Sequence, residues 1–272
     1  SSGASLVSFN LDAFESYGHA QGDNAPVSEA AAFAYGTALN IFLAKDSGHR
    51  IQVGDASTVF WADCANMEAA SEAEAIFAGL IDPAAEEQAG ARLVAEKLEA
   101  IRQGRPLAEI DPRLAAKGLR FFVLGLAPNA ARLAIRFYAE DDFGAIAARY
   151  QRFLREMAID PPPRGTPGLW RYLSELAVQG KRENVPPNLA GDWMRAILSG
   201  APYPLTLLST AVLRARSDQE VGALRAAMMK SVLLRNYEME IPVALDEDNP
   251  SPAYQLGRLF AVLEGAQYAA LG

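Results

Sequence analysis

An α+β fold, with a mixed strand-and-helix portion over residues 1–160 and a mostly helical portion over 161–272, follows from three observations on the sequence. Segments rich in β-branched and aromatic residues, the composition that suits a pleated surface, are confined to the first portion. The stretch DPPPRGTPG at 160–168 divides the chain, because stacked prolines continue neither a helix nor a strand. Beyond Gly168 the longer segments carry apolar residues at helical spacing.

SLVSFN at 5–10 reads as a short strand. Gly18, Gly22 and Asn24 punctuate a loop, after which Pro26 and the N-cap Ser28 open an Ala-rich helix running to about Lys45. RIQVG and STVFWA are two strands joined by a tight turn at Gly54-Asp55. Residues 67–112 form a peripheral acidic helical segment, whose run AGARLVAEKLEAIRQG stops at Gly104 and Pro106. FFVLGL at 121–126 is continuously apolar between polar or breaking residues, the pattern of a strand buried on both faces. In the next run, Leu133, Ile135 and Phe137 alternate with Arg132, Ala134, Arg136 and Tyr138, which predicts an edge strand with one apolar and one polar face.

DDFGAIAARYQRFLREMAI places Phe143, Ile146, Tyr150, Leu154 and Met157 on one helical stripe capped by Asp141. LWRYLSELAVQG, NLAGDWMRAILSG, PLTLLSTAVLRARS and DQEVGALRAAMMKSVLLRNYEM come after it as helices, the last opened by a capping box at Ser217 and Glu220. IPVALDEDNPSPAYQ is a loop, and AYQLGRLFAVLEGAQYAALG is a final helix. Trp61, Trp170 and Trp193 sit in apolar contexts and are expected in the core.

Half of the 272 residues are hydrophobic, enough to bury a large core. No apolar run approaches the ~20 residues that span a bilayer, and the first residues carry no basic, signal-like region. The lone Cys64 excludes an internal disulfide and fits a reducing cytoplasm. The chain does not begin with Met, as expected of a piece of a longer protein.

The net charge of −8 conceals a division. Residues 1–111 hold 6 Lys/Arg against 17 Asp/Glu, residues 112–235 hold 18 against 10, and residues 236–272 hold 1 against 6. Of the 18 cations in the middle block 15 are Arg, whose planar fork grips phosphate at two points. A basic middle with acidic flanks points to a polyanion on one surface and solvent or basic protein on the others.

Catalytic patterns are scarce. His19 and His49 lack zinc-ligand spacing, and the sequence has no phosphate loop, dinucleotide fingerprint or nucleophile elbow, so no cofactor or metal is expected. Cys64 beside His49 is better read as a small buried hydrophobe than as a nucleophile. Asp55 and Asp63 flank STVFWA, the pair that a metal-dependent nuclease would use to share a cation. Tyr17, Gln21 and Asn24 supply a ring and two amides in a glycine-punctuated loop, groups that reach nucleobases and phosphates, although Asn is also an ordinary turn residue.

Three stretches together, SLVSFNLDAFESYGHAQGDNAPVSEAAAFAYGTALN, IQVGDASTVFWAD and FFVLGLAPNAARLAIRFY, resemble the Csd-one family, the large subunit of the type I-C CRISPR Cascade surveillance complex. The resemblance continues through GKRENVPPNLAGDWMRAILSGAPYP, SVLLRN and AYQLGRLFAVLE. It implies a non-enzymatic role beside other Cascade subunits: binding CRISPR guide RNA and target double-stranded DNA, helping to recognise the target-flanking motif, and recruiting a helicase-nuclease. Family members are longer, so a fragment lacking an N-terminal region and a C-terminal region like the small subunit is expected. The nucleic-acid contacts expected on this reading are Asn129, Arg132 and Arg136 around the second strand, Tyr17, Gln21 and Asn24 in the first loop, and Lys181 and Arg182 before Pro186-Pro187. Two alternatives stand beside it, the Asp55/Asp63 nuclease and a pure assembly scaffold whose basic middle meets acidic protein.

Overall fold

A glycine at the first position of a two-residue turn lets two strands return without losing their twist. In the computed structural model, which describes residues 11–82, 92–129, 132–163, 165, 167–181, 184–186 and 188–271, Gly54 takes φ +58° and fills that position. Around it β1 (Arg50–Val53) pairs antiparallel with β2 (Ala56–Asp63). β3 (Arg120–Asn129) and β4 (Arg132–Asp142) complete a four-stranded antiparallel sheet in chain order. The fold is α+β as expected, with the sheet in the first half and helices after it. The predicted strand at 5–10 lies outside the described residues.

Helix α1 (Glu29–Phe42) precedes the sheet, and the Ser28 hydroxyl accepts the Ala31 N–H at 3.2 Å, as its cap position predicts. Helices α2 (Met67–Ile81), α3 (Arg92–Arg102) and α4 (Leu107–Ile110) lie between β2 and β3. α2 and α3 are not peripheral: Ile76, Phe77, Leu98 and Ile101 are buried in the core. Phe77 packs its ring against Phe60 and Phe121, so this acidic segment covers one face of the sheet. Its composition hid the burial because Glu68, Glu96 and Glu99 are exposed, Glu74 accepts the Ala62 N–H of β2 at 2.9 Å, and Lys97 bonds Glu72 and Asp111 in a network.

The other face is covered only in part, by α1, whose Phe42 stacks on Trp61 with ring centroids 5.8 Å apart. Phe121 and Val123 of β3 are fully buried, whereas Phe122 and Leu124 are half-buried on the other face. The run FFVLGL is therefore a one-sided strand rather than one buried on both faces, and Trp61 also lies on the open side instead of in the core. There it stacks on Phe122 with ring centroids 5.1 Å apart. Pro128 does not end β3, which continues to Asn129.

Helix α5 (Phe143–Met157) succeeds β4 directly, and Phe143, Ile146, Tyr150 and Met157 are buried along the predicted stripe. Its N-cap is Asp142 rather than Asp141, whose carboxylate instead accepts Arg149 Nη2 at 2.6 Å. Helices α6 (Leu169–Leu176), α7 (Leu189–Ser199), α8 (Leu205–Asp218) and α9 (Ala223–Tyr237) pack around Trp193, which is fully buried and met edge-on by Phe153, Tyr172 and Tyr203. Trp170 is partly buried against the same core. The capping box at Ser217 does not form: α8 runs through Ser217, Gln219 closes it in the left-handed conformation, and Gly222 caps α9. Apolar packing of α8 outweighed the local capping signal. Helix α10 (Pro252–Leu271) buries none of its residues.

One apolar cluster joins sheet and helices, running from Ile51 to Val232. α7 packs against β4. A Cβ on Gly54 would meet that of Ala190 at 2.3 Å, and one on Gly191 would come within 3.2 Å of the Arg136 Cβ, so these glycines let α7 sit against the hairpin turn and β4. No helix among the described residues is long and apolar enough to cross a membrane.

Candidate nucleic-acid interface

The alternation of β4 is broken at Arg136. Gly125 pairs with Phe137 and Leu126 with Ile135, so β4 carries one extra residue, a β-bulge that re-aims the side chains on either side of it. The predicted apolar set Leu133, Ile135 and Phe137 is split accordingly. Phe137 is buried against Gly125, while Ile135 is 64% exposed beside Leu124 and Leu126 on the open face.

The bulge gives Arg136 internal partners. Its Nε and Nη2 donate to Asp55 Oδ2 at 3.1 and 2.6 Å, and its Nη1 donates to Asn188 Oδ1 at 2.7 Å. Asn188 is the left-handed N-cap residue of α7, at φ +66°. One guanidinium thus ties the β1–β2 turn, the β4 bulge and the start of α7. Sequence reasoning missed Asn188 and assigned Asp55 elsewhere; the one local signal was Asn after Pro186-Pro187, a residue that tolerates the left-handed conformation.

Asn129 and Arg132 are the last pair of the β3–β4 ladder, Asn129 exposed and Arg132 half-buried. Lys181 is exposed after the 3-10 turn Val178–Gly180, on the segment that leads to Asn188 and so to Arg136. Arg182 lies outside the described residues.

The first loop is a separate unit held by its own side chains. Asn24 Oδ1 accepts the Ser16 N–H at 2.9 Å, and its Nδ2 donates to the His19 and Gln21 carbonyls at 2.8 and 3.2 Å. Its amide therefore closes the loop. Gln21, at φ +47°, donates its N–H to the Glu15 carboxylate, and Tyr17, at φ +55°, is 99% exposed. Tyr17 and Gln21 present their side chains to solvent; Asn24 does not have its amide to spare.

The basic block is also less bare than its count implies. Arg113, Arg120, Arg136, Arg149, Arg152, Arg195, Arg214, Arg225 and Arg235 each pair with a carboxylate. Arg149 holds the Asp141 carboxyl below its ordinary range, chiefly by hydrogen bonding. Arg235 is buried: its Nε donates to Glu156 Oε1 at 3.1 Å, its Nη2 pairs ionically with Oε2 at 2.7 Å, and it stacks on Tyr203 with 3.9 Å to the ring centroid. Lys117, Arg155, Lys181 and Arg216 are exposed outside these pairs.

Asp55 and Asp63 bracket β2, whose eight residues at ~3.3 Å each set them roughly 25 Å apart. One cation with ligands within ~2.6 Å cannot bridge them. The nuclease built on that pair is overturned by this geometry and by the engagement of Asp55 with Arg136. Cys64 is half-buried, packs against the core and donates to the Asn66 carbonyl at 3.0 Å.

Comparison with known proteins gives one family. A family model described as CRISPR-associated protein (Cas_Csd1) matches residues 1–272. No curated protein matches the chain.

Proposed function

The chain belongs to the Cas_Csd1 family of CRISPR-associated proteins, and on that premise we propose that it is a non-catalytic large subunit of a type I-C Cascade complex, binding guide RNA or target double-stranded DNA beside other Cascade subunits. In this reading it works in the cytoplasm, helps recognise the target-flanking motif and recruits the helicase-nuclease, while guide pairing reads the sequence.

The observation that carries the reading is the β3–β4 hairpin. It is fixed midway by the Arg136 staple, and its end presents Asn129 and Arg132, an amide and a guanidinium of the kinds that contact bases and phosphates. Arg136 then positions the arm rather than gripping the polyanion. Tyr17, Gln21, Lys181 and Arg182 are secondary contacts.

Photocrosslinking of labelled guide RNA and target DNA in the assembled complex tests this. Adducts on the hairpin end or on the Lys181 segment support it, and an assembled complex whose adducts all fall on other subunits overturns it.

The many internal ion pairs of the basic block favour a second reading, a scaffold that touches protein alone. That same overturning outcome would support it.

A further inference from the structure

The loop before α1 holds a tyrosine that turn formation does not need. Tyr17 sits at φ +55°, a conformation that strains a bulky side chain, although Gly18 at φ +79° is beside it to take the left-handed turn. Its ring is 99% exposed. Strained residues that their surroundings hold in place cluster at ligand contacts. Here Asn24 does the holding through its amide, and Glu15 accepts the Gln21 N–H at 2.9 Å. Beside the ring lies a hollow of about 450 Å³ whose lining comes from residues 14–26. Phe14, Tyr17 and Pro26 form apolar walls, and Ser16, His19 and Asp23 supply polar groups. Asp23 Oδ2 is 2.6 Å from His19 Nδ1, which leaves Oδ1 as an acceptor.

We propose, resting on the nucleic-acid reading above, that this hollow takes one unpaired nucleobase, its face stacked on Tyr17 and its N–H edge turned to Asp23. Charge decides between base and backbone. Residues 11–44 hold Asp12, Glu15, Asp23 and Glu29 and no Lys or Arg, and the hollow is lined from within that span, so no described cation of another element lines it. A phosphate is repelled there. A base is uncharged and offers a π-face to the ring and donors to the carboxylate. Pairing would occupy those donors, so the base that enters is unpaired. A cationic protein side chain would meet the same carboxylates at the surface without a hollow; a slot with an aromatic face, apolar walls and a few polar groups suits a flat heterocycle.

The assembled complex is tested by filter binding at low and high salt, with guide or target carrying an abasic site at one position at a time. Tyr17→Gly suits the left-handed backbone and removes only the ring; it is expected to weaken binding ~10-fold at both salt concentrations, whereas Tyr17→Phe binds as wild type. One abasic position should cost the wild type ~10-fold and Tyr17→Gly nothing further. Asp23→Asn, which keeps the ring, should weaken binding at that same position alone. A Tyr17→Gly loss that disappears at high salt would make the contact a phosphate, and departure of a subunit from the complex would make it a protein; either overturns the proposal. Wild-type binding by Tyr17→Gly while crosslinks still fall on the hairpin overturns this site alone, and the absence of any adduct on this chain overturns the nucleic-acid reading with it.

Discussion

Replacing Arg136 with alanine separates two roles that one arginine on a strand can play. If it staples the fold, the variant loses the Asp55 pair and the Asn188 hydrogen bond together. The side chains of Arg136 and Asp55 are 25% and 44% exposed, so solvent screening keeps the ion pair in the range of ~0.2–1 kcal/mol. The bond to Asn188, from a charged donor in a partly exposed site, contributes about another 1 kcal/mol. The expected loss is about 1–2 kcal/mol, a fall in melting temperature of roughly 2–8 °C for a chain of this size. Thermal unfolding followed by circular dichroism measures it, and Asp55→Ala in the same background should add less than it costs alone. In parallel, DNA binding by the assembled complex is measured across a salt series. A variant with wild-type melting whose salt slope falls by about one unit would refute the staple and make Arg136 a phosphate contact.

Arg132→Ala should behave in the opposite manner, weakening nucleic-acid binding and lowering the salt slope by about one unit while the complex still assembles; an unchanged slope in a filter-binding series counts against the hairpin. Gly125→Ala would place a Cβ 2.3 Å from Phe137 Cε1, and because Phe137 is buried it has little room to yield. The expected cost is ~1–3 kcal/mol, read from the urea midpoint, and a neutral substitution would show that the bulge is not fixed by this packing. The Arg113 guanidinium, with Lys97, holds Asp111 well below the usual carboxylate range. Its folded value lies under the unfolded ~3.9, so its contribution is fully present above about pH 4 and is lost as pH falls through the folded value. Asp111→Asn should therefore lower stability at neutral pH and flatten the acid limb of a midpoint-against-pH profile; an acid limb as steep as wild type would assign it to other groups.

Much of the site's neighbourhood was legible because it depends on local chemistry. Gly54-Asp55 announced its hairpin, Ser28 its cap, and the stripe from Phe143 to Met157 its buried face, since each needs only residues close in the chain. The family could also be read, because its long phrases survive as composition and order. The errors came where a distant neighbour decided. Strand alternation reports that one face is buried; it cannot say whether a helix covers the second, so Trp61 and Phe122 were misplaced. The bulge is a property of pairing between two strands, and no count along β4 alone reveals it.

Residue types, pattern and charge, set by the sequence itself, determined an α+β chain with an Arg-rich middle, and its long phrases carried the resemblance to the CRISPR-associated family whose model matches it. Which arginines face outward was settled only by tertiary structure. A guanidinium reaches several ångströms from its backbone, and the carboxylate that meets it can lie 81 positions away, as Asp55 does from Arg136. Charge along a chain is additive, but exposed charge depends on which partners the fold brings within hydrogen-bond distance.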